Sequence, residues 1–299
     1  MNASDAKTTV RVVAVMTAHN RRALTLASLE RLEVAARVAG VTVAAVLMDD
    51  GSTDGTAEAV RQRHPWVEVL VGQGDLFWNR GMHAAQAQAM RHAFDYLLWL
   101  NDDTALHDDA LARLLATHAT LERAGGAPSI VVGATSDRGT GQLSYGGLVA
   151  RRRWRPFNYC RVWSETEAVD CQAMNGNIVL IPRVVAEKVG NLDPVFEHGL
   201  GDIDYALRAR RCGFRVVAAP GVAGSCSNNP VAGTFRDPAL PFAERWKRMR
   251  SRKGLPPRSW WHFTRRHGGP AGLAYFAWPY VRLVVEAAIG SVRRQPSRI

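Results

Sequence analysis

Cysteine is scarce in this 299-residue chain. The four residues, Cys160, Cys171, Cys212 and Cys226, are scattered and none forms a C-x-x-C pair. That excludes a disulfide framework and speaks against a structural zinc site, leaving free buried thiols as the expectation. Met1 to Thr9 is polar and lacks the apolar stretch of a secretory signal, so a cytoplasmic chain is expected. Long apolar runs are lacking as well. The best candidate, Ala271–Ile289, is interrupted by Arg282 and Glu286 and weakened by Pro279, so it reads as an amphipathic or core-docked helix, not a membrane span. There is no G-x-x-x-x-G-K-[ST] loop and no G-x-S-x-G elbow. Gly72-Gln73-Gly74 opens like a dinucleotide fingerprint, but the third glycine position is Phe77. Acid is nearly absent from one end: residues 236–299 hold Asp237, Glu244 and Glu286 against 14 Lys and Arg, whereas residues 1–235 hold 24 of each sign. The net charge of +11 therefore belongs entirely to the tail. This excludes a uniformly basic, nucleic-acid-coating protein and leaves a confined electrostatic contact.

What is present is ordinary globular composition, with 47% hydrophobic and 22% charged residues. The first half alternates strand and helix. Val10–Met16 is a near-continuous apolar run, the mark of a strand covered on both faces. Helical spacing over Arg22–Ala39 follows, then a strand over Val43–Met48 and a helix capped by Ser52/Thr53 that Pro65 stops. Strands over Val67–Val71, Tyr96–Leu100 and Ile130–Gly133 alternate with helices over Gly81–Phe94 and Asp108–Arg123. Hairpins are expected from about Leu143 to Ala168. Asn177–Ile181 and Phe214–Ala219 read as further strands, and Arg183–Val189 and Gly201–Cys212 as helices. The expected fold is α/β, a doubly wound, mostly parallel sheet over residues 1–235, with an appended basic helical region at 236–299. Helices are expected there around Ala243–Arg250, Trp260–His267 and Leu273–Ile289.

In a doubly wound sheet, ligands bind at the carboxyl ends of the strands. Three polar clusters fall there: Thr17-Ala18-His19-Asn20, Asp49-Asp50-Gly51-Ser52 and Asn101-Asp102-Asp103. Two acidic turns facing one crevice repel each other unless a cation or donor groups satisfy them. The arrangement points to a divalent metal, Mg²⁺ or Mn²⁺, shared between carboxylates and the phosphates of a ligand.

Taken in order, these motifs resemble the inverting family 2 glycosyltransferases of GT-A fold, over about residues 10–224. TAHNRR (Thr17–Arg22) looks like the family's strand-one loop and VLMDDGSTDGT (Val46–Thr56) its nucleotide-binding segment. WNRGMHAA (Trp78–Ala85) resembles its N-x-G helix start, and LNDDT (Leu100–Thr104) stands at its D-x-D position. The stretches Asn175–Phe196 and Gly201–Phe214 look like its acceptor-side segment. GDLFW and the KGLPPRSWWHFTRRHGG tail further resemble bacterial envelope-polysaccharide members, including rhamnosyltransferase-like ones.

The resemblance implies roles. Asp50 would hydrogen-bond the nucleotide base, with Thr17, His19 and Asn20 lining the same pocket and Asn79 and Arg80 on the donor side. Asp103 would ligate the metal bridging the diphosphate, and Asp102 would contact ribose or metal. Asp202 would be the general base, deprotonating an acceptor hydroxyl for in-line attack on the anomeric carbon. Trp78, Asn175, Gly176 and Asp204 would contact acceptor or sugar, although Asp204 could instead orient through Arg208. The implied partners are a dTDP- or UDP-sugar donor and a lipid-linked glycan acceptor; nucleic acid is not expected. The basic tail then reads as a membrane-docking, acceptor-facing element, placing the enzyme peripherally at an anionic membrane surface on the inner face of the cytoplasmic membrane, or else as a helical cap packed on the body. Two departures stand out. Gly201 replaces the glutamate that usually precedes the base, leaving Glu197 as a substitute. Gly224-Ser225-Cys226-Ser227 lacks the metal-ligating histidine of some relatives, which leaves a metal held by Asp103 and phosphates alone, a weakly bound one, or His198 as a substitute. Arg151, Arg152, Arg153 and Arg155 read as a solvated hairpin or a contact for acceptor phosphates.

Two other functions stay open on sequence alone. A sugar nucleotidyltransferase would need a Gly- and Lys-rich first loop, and TAHNRR has no glycine. A nucleic-acid binder could use the basic tail with Trp246, Trp260 and Trp261, but would leave both acidic turns unexplained.

Overall fold

The computed structural model describes residues 9–293. Contacts divide the chain into two units, Met1–Pro194 with Gly201–Asn228, and Val195–Leu200 with Asn229–Ile299.

The first unit opens with β1 (Arg11–Ala18), α1 (Arg22–Ala39), β2 (Thr42–Asp49), α2 (Thr56–Arg63), β3 (Val67–Val71), α3 (Phe77–Ala89) and β4 (Tyr96–Leu100). It continues through β5 (Ala105–Leu106), α4 (Ala110–Arg123), β6 (Ser129–Ser136) and β7 (Leu143–Tyr145). A small separate sheet is built by β8 (Gly147–Arg152), β9 (Arg155–Val162) and, after β10 (Val169–Asp170), β11 (Ala173–Met174). β12 (Ile178–Pro182), α5 (Arg183–Val189), α6 (Gly201–Arg211) and β13 (Arg215–Ser225) complete it.

The main sheet runs β10-β13-β6-β12-β4-β1-β2-β3. β1 to β4 pair in parallel, β12 slots antiparallel between β4 and β6, and β13 returns parallel to β6. This is the mostly parallel α/β sheet expected. Its strands are apolar on both faces because both are covered. Val13 and Val15 of β1 join the core that includes Met82 and Ala85 of α3. Val12, Ala14 and Met16 join the opposite one, with Leu29 and Leu32 of α1.

One helix starts earlier than its local sequence indicates. The expectation was Gly81–Phe94, whereas α3 spans Phe77–Ala89. Its first amides are held from a distance: the Asp50 carboxylate accepts from the backbone N–H groups of Leu76 and Phe77 at 2.9 and 3.1 Å. That contact holds Phe77 at φ +59°, a conformation a bulky side chain rarely adopts. Further along, Gly81 lets α3 press onto β1, since a Cβ there would collide with the Thr17 side chain.

The second unit holds α7 (Phe242–Met249), α8 (Pro257–His267) and α9 (Gly272–Arg293). Its interior is aromatic. Trp260 and Phe263 stack at 5.6 Å, Phe196 meets Phe263 edge-on at 6.3 Å, and Trp246 meets Tyr280 at 6.0 Å. Arg245 binds Glu286 at 3.0 Å and the Tyr280 hydroxyl donates to the Leu255 carbonyl. Among the described residues, no helix is long and apolar enough to cross a membrane.

Candidate active site

The loops after β1 and β2 are stitched together. His19 Nδ1 donates to the Asp50 carbonyl at 2.6 Å, which leaves Nε2 as the acceptor. Asn20 accepts the Thr53 N–H on Oδ1, and its own N–H donates to Ser52 Oγ, both at 2.8 Å. Arg22 N–H donates to Asp54. His19 and Asn20 remain exposed, so this edge is accessible. Thr17 is buried and donates to the Met48 carbonyl, and Asp50 is 4% exposed. Both oxygens of Asp50 are engaged, one by Gly74 and the other by Leu76 and Phe77. Its carboxylate thus shapes the 72–77 loop.

At the end of β4, Asn101–Thr104 forms a tight turn, with Thr104 N–H donating to the Asn101 carbonyl. Asp102 is nearly buried and Asp103 partly exposed. Burial, reinforced by the charge of Asp103 and opposed by Arg21, pushes the Asp102 carboxyl up to about 7. One Arg21 nitrogen donates to both carboxylates, at 3.2 Å to Asp102 and 2.8 Å to Asp103. Arg138 donates to the Asp103 carbonyl. The Cys226 thiol donates to Asp103 Oδ1 at 3.4 Å and accepts from Asn177 Nδ2. Burial and the neighbouring Asp103 push that thiol up to about 12, so it is a protonated donor and not a thiolate.

The segment Asn175–Asn177 ties this turn to the third element of the site. Asn177 accepts the Asn101 N–H on its carbonyl, and Gly176 N–H donates to Asp202 Oδ2 at 3.1 Å. The second Asp202 oxygen accepts from Ile203 N–H at 2.9 Å. Asp202 sits in the first turn of α6, partly exposed, where the helix N-terminus favours its charge. Burial nevertheless dominates over the two amides and pushes the carboxyl up to about 6. Trp78 completes the connection. Its Nε1 donates to Asn101 Oδ1 at 2.8 Å, its ring edge meets Trp99, and a Cβ on Gly176 would come within 2.5 Å of it.

The other sequence candidates divide. Asn175 is partly exposed, with Oδ1 accepting from Gly146 N–H. Asn79 is fully buried and donates to the Asp193 carbonyl, and Arg80 donates to the Pro194 carbonyl, so both hold the turn before α6. Asp204, expected to contact acceptor or sugar, has no exposed surface to offer one. It pairs with Arg208 at 2.7 Å, and Arg208 also donates to the carbonyls of Val189 and Asn191. Glu197, the substitute for the missing glutamate, lies in the second unit and pairs with Arg252. Arg152 and Arg155 flank the exposed Trp154 ring at the β8–β9 turn.

Sequence reasoning gave no role to Arg21, Asn177 or the Cys226 thiol. The signal for Arg21 was present: a cation at the end of β1 in a crevice shared by acidic strand ends. The donor set suits a hard divalent ion. It offers two carboxylates on one turn, and among the described residues no group of three or more His, Cys, Asp or Glu could hold a metal alone. Such a site expects a ligand's phosphates and water to supply the rest.

The sequence pattern of the family described as glycosyl transferase family 2 matches residues 13–174, more than half of the chain. The chain belongs to that family. This family 2 glycosyltransferase is 25% identical over 225 residues to the N-acetylglucosaminyl-diphospho-decaprenol L-rhamnosyltransferase of Mycobacterium tuberculosis, in strains CDC 1551 and H37Rv alike. The alignment covers 69% of this chain and 72% of the relative. Among solved structures, the mannosyltransferase PcManGT from Pyrobaculum calidifontis, in complex with GDP-Man and Mn²⁺, superposes with a TM-score of 0.56. The match is 19% identical and covers 97% of this chain and 77% of that one, and it establishes the GT-A fold. The chain is a glycosyltransferase, as the motifs led us to expect.

Proposed function

We propose that this enzyme is a metal-assisted, inverting glycosyltransferase. It moves a sugar from a nucleoside diphosphate donor, a dTDP- or UDP-sugar, to a hydroxyl of a lipid-linked glycan in cell-envelope polysaccharide synthesis, at the inner face of the cytoplasmic membrane. The observation that carries this reading is Asp202: a partly exposed carboxylate on a helix N-terminus, held by two amides and joined through Gly176 and Trp78 to the acidic turn. The mycobacterial relative, named for a lipid diphosphate acceptor, supports the choice of acceptor.

In the proposed reaction, Asp202 takes the proton of the acceptor hydroxyl as its oxygen attacks the anomeric carbon. The bond from that carbon to the diphosphate oxygen breaks, the nucleoside diphosphate leaves with the electron pair, and the configuration inverts. His19, Asn20 and the loop that Asp50 organises hold the nucleoside. Asp103, with Asp102, would hold the divalent cation, which supplies Lewis-acid stabilisation of the leaving diphosphate when bound. Trp78 lies between the two carboxylate sites and presents its ring beside Gly176, where a sugar can pack.

The raised carboxyl of Asp202 fixes the sign of the pH dependence. The base works only when ionised, so at saturating divalent cation, which keeps Asp102 ionised, kcat/KM is expected to be flat above about pH 6 and to fall about tenfold per unit below it. A pH–rate profile at subsaturating acceptor measures the limb, and a profile flat down to pH 5 would remove Asp202 from the role.

Arg21 occupies the electrostatic position of a cation between Asp102 and Asp103. Binding of a divalent ion there has to displace it. Arg21→Gln is therefore expected to bind Mn²⁺ several-fold more tightly in the absence of donor, as read by electron paramagnetic resonance of free Mn²⁺. Equal or weaker binding would show that the guanidinium does not compete.

A further inference from the structure

Helix α9 turns its apolar side outward. Its inward side is fastened by aromatic and polar contacts: Phe276 against Trp261, Tyr280 against Trp246 and Leu255, Glu286 with Arg245, and Leu283 buried. At 3.6 residues per turn, the remaining side chains fill a continuous arc of about 160° with no charge in it. Leu273, Trp278, Val281, Val284, Val285 and Ile289 lie on this arc, and each is roughly half exposed. These six are among only fifteen exposed large hydrophobic residues in the described chain. Scattered apolar residues on a surface need no explanation, but a contiguous apolar helix face does.

The surroundings of that face indicate its partner. Residues 229–293 carry twelve Lys and Arg, and the whole second unit has only Glu197, Asp237, Glu244 and Glu286 as acids. Three of those acids are already paired with arginines of the same unit, Glu197 with Arg252, Glu244 with Arg248, and Glu286 with Arg245 and Arg282. Arg282, at the edge of the apolar arc, is 62% exposed, and Arg258 and Arg265 of α8 are exposed as well. Two copies meeting through this face would bring two strongly positive units together. An anionic lipid surface accepts the charge and the apolar face at once, and Trp at such a boundary has one end apolar and the other wet.

We infer that the outer face of α9 is a docking surface for an anionic bilayer, lying in the headgroup layer without spanning it. This deepens the reading of the enzyme as one that acts on a lipid-linked acceptor, and rests on that reading for its purpose but not for its physics. The test uses the full chain and vesicles of mixed phosphatidylcholine and phosphatidylglycerol in a co-sedimentation assay. Binding to the mixed vesicles, weak binding to pure phosphatidylcholine, and at least a tenfold loss in Val281→Glu/Val285→Glu are expected. Both positions are exposed, so the variant keeps its melting temperature and its turnover of a water-soluble acceptor. Unchanged binding by the variant, or no binding by the parent, overturns the inference. So does a parent dimer, seen by light scattering, that the variant abolishes while vesicle binding persists, since the face then belongs to a second copy. Vesicle binding without any sugar transfer by the same preparation would instead count against the proposed reaction alone.

Discussion

Replacing Asp202 by Asn is expected to lower kcat for sugar transfer by about 10³-fold or more, the range a positioned general base supplies. The substitution isolates the chemistry. The amide is nearly isosteric with the carboxylate, and its Oδ1 can keep one of the two backbone bonds now made by Gly176 and Ile203. Melting temperature should stay within about a degree. Donor affinity by titration calorimetry should also stay put, because His19 and Asn20, the residues proposed to hold the donor, belong to other loops. The diagnostic pattern is thus a collapse in kcat with binding intact. A variant retaining a tenth of parental kcat would mean that the proton leaves by another group.

The second large effect falls on Gly201, where the resemblance places a glutamate. A Cβ on this residue would land on the carboxamide of Asn79. That carboxamide is fully buried and fastened to the Asp193 carbonyl, so it has little room to yield. Gly201→Ala is expected to cost about 1–3 kcal/mol, the usual penalty of overpacking. At this chain length that corresponds to a drop of roughly 2–5 °C in melting temperature. Gly201→Glu should lose most activity too, since the strain falls on the residue next to Asp202, the proposed base. The mechanism is separable from a general loss of fitness by a double-mutant cycle with Asn79→Ala. If the clash is the cause, adding Gly201→Ala to Asn79→Ala costs little. Additive losses in differential scanning fluorimetry would overturn that explanation. The missing glutamate is on this view a consequence of how α3 and α6 meet, and restoring it to match the family would be harmful.

The sheet was legible because its signal is local. Apolar runs of five to eight residues separated by helical spacing need no tertiary information, and β1 to β4 and β6 lie where those runs do. The carboxyl-end clusters followed from the same reading, since a parallel sheet gathers its strand ends on one side. What escaped was set by contacts between distant residues. The start of α3 depends on a carboxylate 26 positions away. Asn79 and Asp204 carry the right residue types for ligand contact, yet lie buried because turn and helix packing use them first. Arg21 and Cys226 meet Asp103 from near the two ends of the first unit, and no spacing rule connects positions so far apart.

The antiparallel strand β12 also has a bearing on how the molecule is made. During synthesis β4 and β6 emerge with nothing between them, and the strand that joins them follows only after the whole β8–β9 excursion. At ordinary elongation rates that slot stands open for on the order of seconds, with the apolar edge of β4 able to pair with any strand nearby. The family match ends at residue 174, four positions before β12 begins. A fragment cut at that boundary would carry both neighbours and omit the piece that closes them, and with it the carboxylate on α6. The stretch that makes the chain recognisable therefore stops short of the strand that closes its own sheet.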